Sequence, residues 1–174
     1  RDANPFFSRR IGIAKDIDGN NIENRIIAGA RLSGKLNENL RLGILNMQTD
    51  EDQANEIPTV NNAVISLQQK VFSRSNISLL FINKQTTKDY EFLDEEDRYN
   101  RLIGIDYRLA SKDNSWSGKY FFHKSFSPGV SGNDFSAGFR TEYNQRRFGI
   151  RLSGVFVADD FRSDLGFIRR TDIF

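Results

Sequence analysis

Cysteine is absent from the 174 residues, which excludes a disulfide framework and thiolate metal sites and leaves the redox compartment unspecified. Histidine occurs once, at His123, so a Ser-His-acid hydrolase would have to rest on that residue, and no Gly-x-Ser-x-Gly elbow accompanies it. No run approaches the roughly 20 apolar residues of a membrane-spanning helix, which leaves spanning strands open. Charge of one sign is also lacking: 25 basic residues face 23 acidic ones, and the two interleave. The one-sided basic surface that nucleic acid selects is missing, so nucleic acid is not an expected partner. The opening Arg1-Asp2-Ala3-Asn4-Pro5 lacks the apolar core of a secretory leader. The expectation is a processed chain or part of a longer protein.

Aromatic residues, by contrast, are plentiful: phenylalanine occurs 15 times in a chain whose mean hydropathy is -0.55. Apolar and charged residues coexist because they alternate. Over 135–156 one set of alternate positions carries Phe135, Ala137, Phe139, Thr141 and Tyr143, then Phe148, Ile150, Leu152, Gly154 and Phe156. The other set carries Ser136, Gly138, Arg140, Glu142, Gly149, Arg151 and Ser153. Side chains two apart on a strand share a face, so this hairpin has an apolar side and a charged side. A membrane barrel dilutes its hydropathy in this way, because only every second strand residue meets lipid.

The same period continues upstream. Residues 1–25 read as a lead-in segment with a short strand near 11–14, and residues 26–174 as strands of a barrel wall. Strands are expected at 26–36, from Leu40 onward, and at 62–72, 76–85, 99–110, 116–125 and the two halves of the hairpin above. Short joins at 37–39, 73–75 and 111–115 alternate with long ones at 50–60, 89–97 and 127–134, as in outer-membrane barrels. The alternation weakens in 62–85, where Leu80 and Ile82 fall opposite Ile77, Leu79 and Phe81 and Gln69 interrupts the apolar face. The expected fold is all-β, an antiparallel up-and-down meander of about eight strands forming part of a transmembrane β-barrel.

Two features favour the membrane. Trp116, Tyr107, Tyr143, Phe148 and Phe135 lie toward strand ends on the apolar face, where interfacial girdles belong. That face is also expected to be free of charge in the fifth, seventh and eighth strands. A soluble β-sandwich or lipocalin-like ligand-binding barrel alternates too, but turns its apolar face inward. Pairing Asn144 with Arg147 would set Tyr143 against Phe148, Phe139 against Leu152 and Phe135 against Phe156. Pairing Leu109 with Trp116 would set Asp106 against Lys119 as an inner ion pair. Because the two ends of the chain read as wall that continues, the eight strands are expected to leave 26–36 and 148–158 at open edges.

Chemistry-bearing patterns are few. His123, within Phe121-Phe122-His123-Lys124, falls on the polar face without a partner pattern and reads as a lumen or loop histidine. Asp16-Ile17-Asp18-Gly19-Asn20 has its glycine too early for a calcium loop and no glutamate at the proper offset, so it reads as a turn. Asp94-Glu95-Glu96-Asp97 reads as a solvated loop tip. No catalytic, cofactor-binding or metal-binding residue is assigned, and no cofactor is expected.

Several runs resemble one family: Pro5-Phe6-Phe7-Ser8-Arg9-Arg10-Ile11-Gly12, Ala28-Gly29-Ala30-Arg31-Leu32-Ser33-Gly34-Lys35, Gly43-Ile44-Leu45-Asn46-Met47-Gln48-Thr49, and Asp159-Asp160-Phe161 through Leu165-Gly166-Phe167-Ile168-Arg169-Arg170-Thr171. They are similar to uncharacterised Gram-negative outer-membrane proteins in which a family-nine carbohydrate-binding-like domain precedes a C-terminal β-barrel. The resemblance implies a bacterial outer-membrane location, a sugar-binding-like domain upstream and further strands downstream. It implies outer-membrane lipid as a partner, with other outer-membrane proteins or surface glycan as further candidates. Some members are labelled membrane-associated hydrolases, but no catalytic motif carries over. The alternation of an apolar aromatic face with a charged one leads to the expectation of a non-enzymatic conduit, anchor or assembly component, with a hydrolase acting through loops or the upstream domain, suggested by His123 and the family label, as the alternative. Phe174 is an aromatic end of the kind barrel strands often have, whereas Arg169-Arg170-Thr171-Asp172 makes a poor closing strand.

Overall fold

A computed structural model describes residues 4–167, and among them the chain is all-β without an α-helix. The expectations for Phe174 and for 169–172 lie outside the described residues. A small hairpin pairs β1 (Ile13–Lys15) with β2 (Asn21–Glu23). The eight strands that follow are β3 (Ile26–Lys35), β4 (Leu40–Thr49), β5 (Val60–Val71), β6 (Ser75–Thr86), β7 (Tyr99–Ala110), β8 (Trp116–Phe126), β9 (Phe135–Gln145) and β10 (Phe148–Val157). They form one antiparallel sheet in sequence order. β3 and β10 do not pair with each other, so the sheet is open at both edges, as the closure argument expects.

Turn chemistry fixes one end of the sheet. Asn37 Oδ1 accepts from the backbone N–H groups of Asn39 and Leu40, both at 2.8 Å, and closes the β3–β4 turn. Between β7 and β8, Asp113 Oδ1 accepts from Ser111 Oγ at 2.6 Å, Ser115 Oγ at 2.8 Å and the Ser115 N–H at 3.2 Å. These hydrogen bonds, led by that from Ser111, hold the Asp113 carboxyl at about 2. The Asp16–Asn20 stretch is likewise a turn. Asp16 Oδ1 accepts from Asp18 N–H at 3.0 Å and Asn20 N–H at 2.7 Å, which joins β1 to β2.

Two registers differ from the sequence-based pairing, each by two residues, a slip that leaves the faces unchanged. In the last hairpin Gln145 pairs with Phe148, so Phe139 faces Gly154 and Leu152 faces Thr141. The expected register would have set Arg140 against Arg151. The observed one sets Glu142 against Arg151, with an Arg151 Nε–Glu142 Oε2 hydrogen bond of 2.9 Å. In the β7–β8 hairpin Leu109 pairs with Gly118 and Arg108 with Lys119, so the expected Asp106–Lys119 pair does not form. The Asp113-centred turn and the Tyr107–Tyr120 ring contact, with centroids 6.0 Å apart, belong to this register.

One face of the sheet is covered, and it is called inner here. Both terminal segments come from the long-loop end and lie over it. Phe161 and Leu165 after β10 pack with Val64, Ile82, Leu102 and Val157, and Phe6 and Ile11 from before β1 pack against this cluster. This corrects the expectation that both ends continue the wall: as far as they are described, they fill its inner side. It also explains why Leu80 and Ile82 break the simple alternation, since they face the cluster. Truncating Leu102, whose side chain is completely buried, to Ala should cost about 2–5 kcal/mol.

Because the chain has no cysteine, its register can be tested by introduced pairs. Thr141→Cys with Leu152→Cys should oxidise readily to a disulfide. Phe139→Cys with Leu152→Cys, the pair of the register shifted by two, should lag far behind on non-reducing gels.

Candidate functional site

Two surfaces carry functional information: the uncovered outer face and the plugged inner one. On the outer face every strand contributes apolar side chains, among them Leu32, Ile44, Ile65, Leu79, Ile105, Phe122, Phe139 and Leu152, all exposed. Toward the long loops this belt ends in a row of amides. Asn46 Nδ2 donates to Asn61 Oδ1 at 3.0 Å, Asn61 Nδ2 to Gln48 Oε1 at 3.2 Å, and Arg101 Nε to Asn83 Oδ1 at 3.0 Å. Toward the short turns it ends in aromatic rings, with Trp116–Tyr143 centroids 4.8 Å apart and Tyr143–Phe148 centroids 6.4 Å apart. All five aromatic residues expected at strand ends point outward, Trp116, Tyr107, Tyr143 and Phe148 toward the short turns and Phe135 at the long-loop end.

The expectation of a charge-free fifth strand fails at Arg101, which shares the outer face with Ile103 and Ile105. Its guanidinium stays at the strand end, 4.4 Å from the Tyr99 ring centroid. Lys124 is the other outward cation of the strand positions. It sits two residues deeper, in the row of Ile103, and pairs with Asp134 of the 127–134 loop. Along β9 the outer face runs from Phe135 to Tyr143. Eight steps of about 3.4 Å give roughly 27 Å along the strand, or about 21 Å along an axis tilted by about 40°, close to an apolar band of about 25 Å.

The inner face is plugged through hydrogen bonds as well as apolar packing. The two terminal segments pair with each other, Phe7 N–H to Leu165 O at 2.6 Å and Phe167 N–H to Asn4 O at 2.8 Å. Asn100, only 2% exposed, then serves as a clamp. Its Nδ2 donates to Arg162 O and to Ser127 Oγ, both at 3.1 Å, and its Oδ1 accepts from the Asp164 N–H at 3.0 Å. A side-chain amide thus supplies both partners that a neighbouring strand would give the 162–164 backbone.

An ion network sits beside the clamp. Asp164 accepts from Lys84 Nζ at 2.8 Å and from Arg162 Nε at 2.6 Å, and Arg162 also reaches Asp97. Burial pushes the Asp164 carboxyl up, but Lys84 and Arg162 more than offset this, and its pKa lies below the usual 3.8. Asp97 therefore has a structural partner, which its reading as a solvated loop tip did not contain. Sequence reasoning missed the Asn100–Arg162–Asp164 group altogether. The legible hint was the spacing of Phe161 and Leu165, apolar residues in a stretch otherwise polar enough for a loop.

His123 lies on the inner face, as its position in the strand predicts, and is 1% exposed. Its Nε2 stands 3.1 Å from Asp106 Oδ1, and its ring stacks on Phe121 with centroids 4.9 Å apart. The ring also covers Gly104, where an added Cβ would come within 2.6 Å of His123 Cδ2, so only glycine fits beneath it. Ser136 is its cross-strand neighbour, yet His123 Nδ1 and Ser136 Oγ form no hydrogen bond among the described residues. The arrangement orients a buried imidazole between the Asp106 carboxylate, the Phe121 ring and Gly104. Among the described residues no group of three or more His, Asp or Glu side chains is placed to hold a metal ion.

Comparison with known protein families, with curated proteins and with solved structures finds no match for this chain.

Two outcomes test the plug. Asn100→Ala removes three hydrogen bonds worth about 1 kcal/mol each, so amides 162–165 should exchange with solvent about 100-fold faster. The Asp164 ion pairs should contribute fully above about pH 4 and be lost as pH falls through the depressed folded pKa. Exchange of the same amides, corrected for intrinsic rates, should therefore rise on acidification below about pH 4, and Asp164→Asn should abolish that step.

Proposed function

We propose that this chain is wall of an outer-membrane β-barrel, of the kind that follows a carbohydrate-binding-like domain, and that it serves as conduit, anchor or assembly component rather than as an enzyme. The observation that carries this reading is the belt of exposed apolar side chains on all eight strands, bounded across β4–β7 by amides toward the long loops and across β8–β10 by aromatic rings toward the short turns. Soluble monomers rarely expose contiguous apolar patches beyond a few hundred Å². A soluble sandwich would turn this face toward a second layer, and in this fold the terminal segments cover the opposite face. Lipid is the remaining surrounding that suits the belt.

Membrane strands must have every backbone polar group satisfied, so the proposal requires β3 and β10 to pair with strands outside the described residues. The plug then occupies the lumen near the long-loop end and narrows any conduit there.

Full-length protein should sediment with membranes and need detergent for release, and recovery in the soluble fraction without detergent would contradict the proposal. Leu79→Arg or Ile105→Arg, at mid-belt, should cost roughly 2–4 kcal/mol and sharply lower the inserted fraction, whereas Asn83→Arg in the amide row should cost about 0–1 kcal/mol.

A further inference from the structure

Two asparagines stand in one inward row of the sheet, Asn62 opposite Lys84 and Lys84 opposite Asn100. Asn100 spends its amide on the 162–164 backbone of the plug. Asn62 is almost as deeply buried, 3% exposed, yet its amide has no hydrogen-bond partner among the described residues. A buried amide left unpaired destabilises the fold, so its donor and acceptor call for a group that supplies both. Against it lies a cavity of about 630 Å³, bounded by the sheet, the plug and the β1–β2 hairpin. The hairpin turns the edge of β1 to this cavity. Ile13, Ala14 and Lys15 all line it, and since neighbouring strand side chains point to opposite faces, three in succession do so only along an edge. The Asn24 N–H to Gly12 O bond of 2.9 Å and the Asp16 N–H to Asn20 O bond of 3.0 Å place residues 12, 14 and 16 in the bonded pairs with β2. By the alternation of an antiparallel ladder, the N–H and C=O groups of Ile13 and Lys15 then point away from β2, and among the described residues they meet no backbone partner there.

We propose that this cavity binds a short extended peptide, taken up as a third strand on the free edge of β1 and held from the other side by the Asn62 amide. Each wall offers what a peptide backbone lacks when it leaves water: β1 a spaced set of N–H and C=O groups, Asn62 one donor and one acceptor. The fold already shows this use of an inward amide, because Asn100 grips the 162–164 backbone through an acceptor and a donor on one side chain. A cavity of this volume falls in the range of small-ligand sites and suits a segment of about three or four residues. Recognition through the main chain leaves the side chains of the peptide largely free. The proposal does not depend on the barrel-wall reading.

The test is calorimetric titration of tetraalanine into the folded full-length protein, in detergent where detergent is needed. Saturable binding is expected. Tetrasarcosine, of equal length but with methyl groups in place of the backbone amide hydrogens, should bind the unaltered protein at least about tenfold more weakly. Asn62→Leu, which keeps the bulk of the side chain and removes its donor and acceptor, should lose at least about tenfold in affinity for tetraalanine, and Arg101→Gln on the outer face should leave it unchanged. The proposal is overturned by absence of saturable binding up to about 10 mM tetraalanine, by an Asn62→Leu variant that binds like the parent, or by tetrasarcosine or maltotriose binding as tightly as tetraalanine. Circular dichroism of each variant keeps loss of the site apart from loss of the fold, and the comparison of ligands needs no variant at all. The titration needs no bilayer, so a negative result leaves the barrel wall standing, and failure to insert leaves the titration readable.

Discussion

A strand in a hydrogen-bonded ladder can point its side chains in only two directions, and the rest of this structure depends on that constraint. Once eight neighbouring strands share a register, every side chain belongs to one face or the other. Between its two bounding rows the outer set is free of charge except at Lys124, which pairs with Asp134. The inner set divides in two: Val64, Ile82, Leu102 and Val157 support the plug toward the long loops, and charges gather toward the short turns. A sheet with an apolar outside and a mixed inside suits lipid on one side and protein or water on the other.

The plug depends on the same constraint. Its segments come without a sheet of their own beyond a few hydrogen bonds between Asn4, Phe7, Leu165 and Phe167, so their other backbone groups need partners on the inner face. Asn100 and Ser125 supply them, Ser125 Oγ accepting from the Arg162 N–H at 3.1 Å. Lys84 and Asp97 then neutralise the Asp164 and Arg162 charges brought in with the chain. Apolar packing gives the plug its stability, and these polar partners give it one position.

Strand positions, face assignments and turn sites were legible in the sequence because each follows from a local pattern, the period of two and the Asn37 and Asp113 turns, whereas the open edges were expected from chain ends read as continuing wall, and those ends lie on the inner face instead. Arg101 was legible by the same parity and overlooked. Register was not legible, because a slip of two leaves both faces intact, and the choice rests on cross-strand details such as Arg151 meeting Glu142 instead of Arg140. The plug was not legible because its contacts join residues far apart in sequence, Asn100 with Arg162 and Pro5 O with Ser163 Oγ at 2.7 Å. Of the inner charges, the alternation showed which cations point inward but not that Arg108, Lys119 and Arg140 stand side by side.

Depth-dependent labelling tests the central claim, that the outer face meets lipid, most directly. Single cysteines along β7 and β10, at Ile103, Ile105, Leu152 and Ser153, can each carry an environment-sensitive fluorophore in liposome-reconstituted protein, since the chain has no cysteine of its own. The account predicts blue-shifted emission and quenching by lipid-borne quenchers at 103, 105 and 152, and water-like emission at the inward position 153. Water-like emission at the three outward positions, or lipid quenching without alternation between 152 and 153, would contradict it.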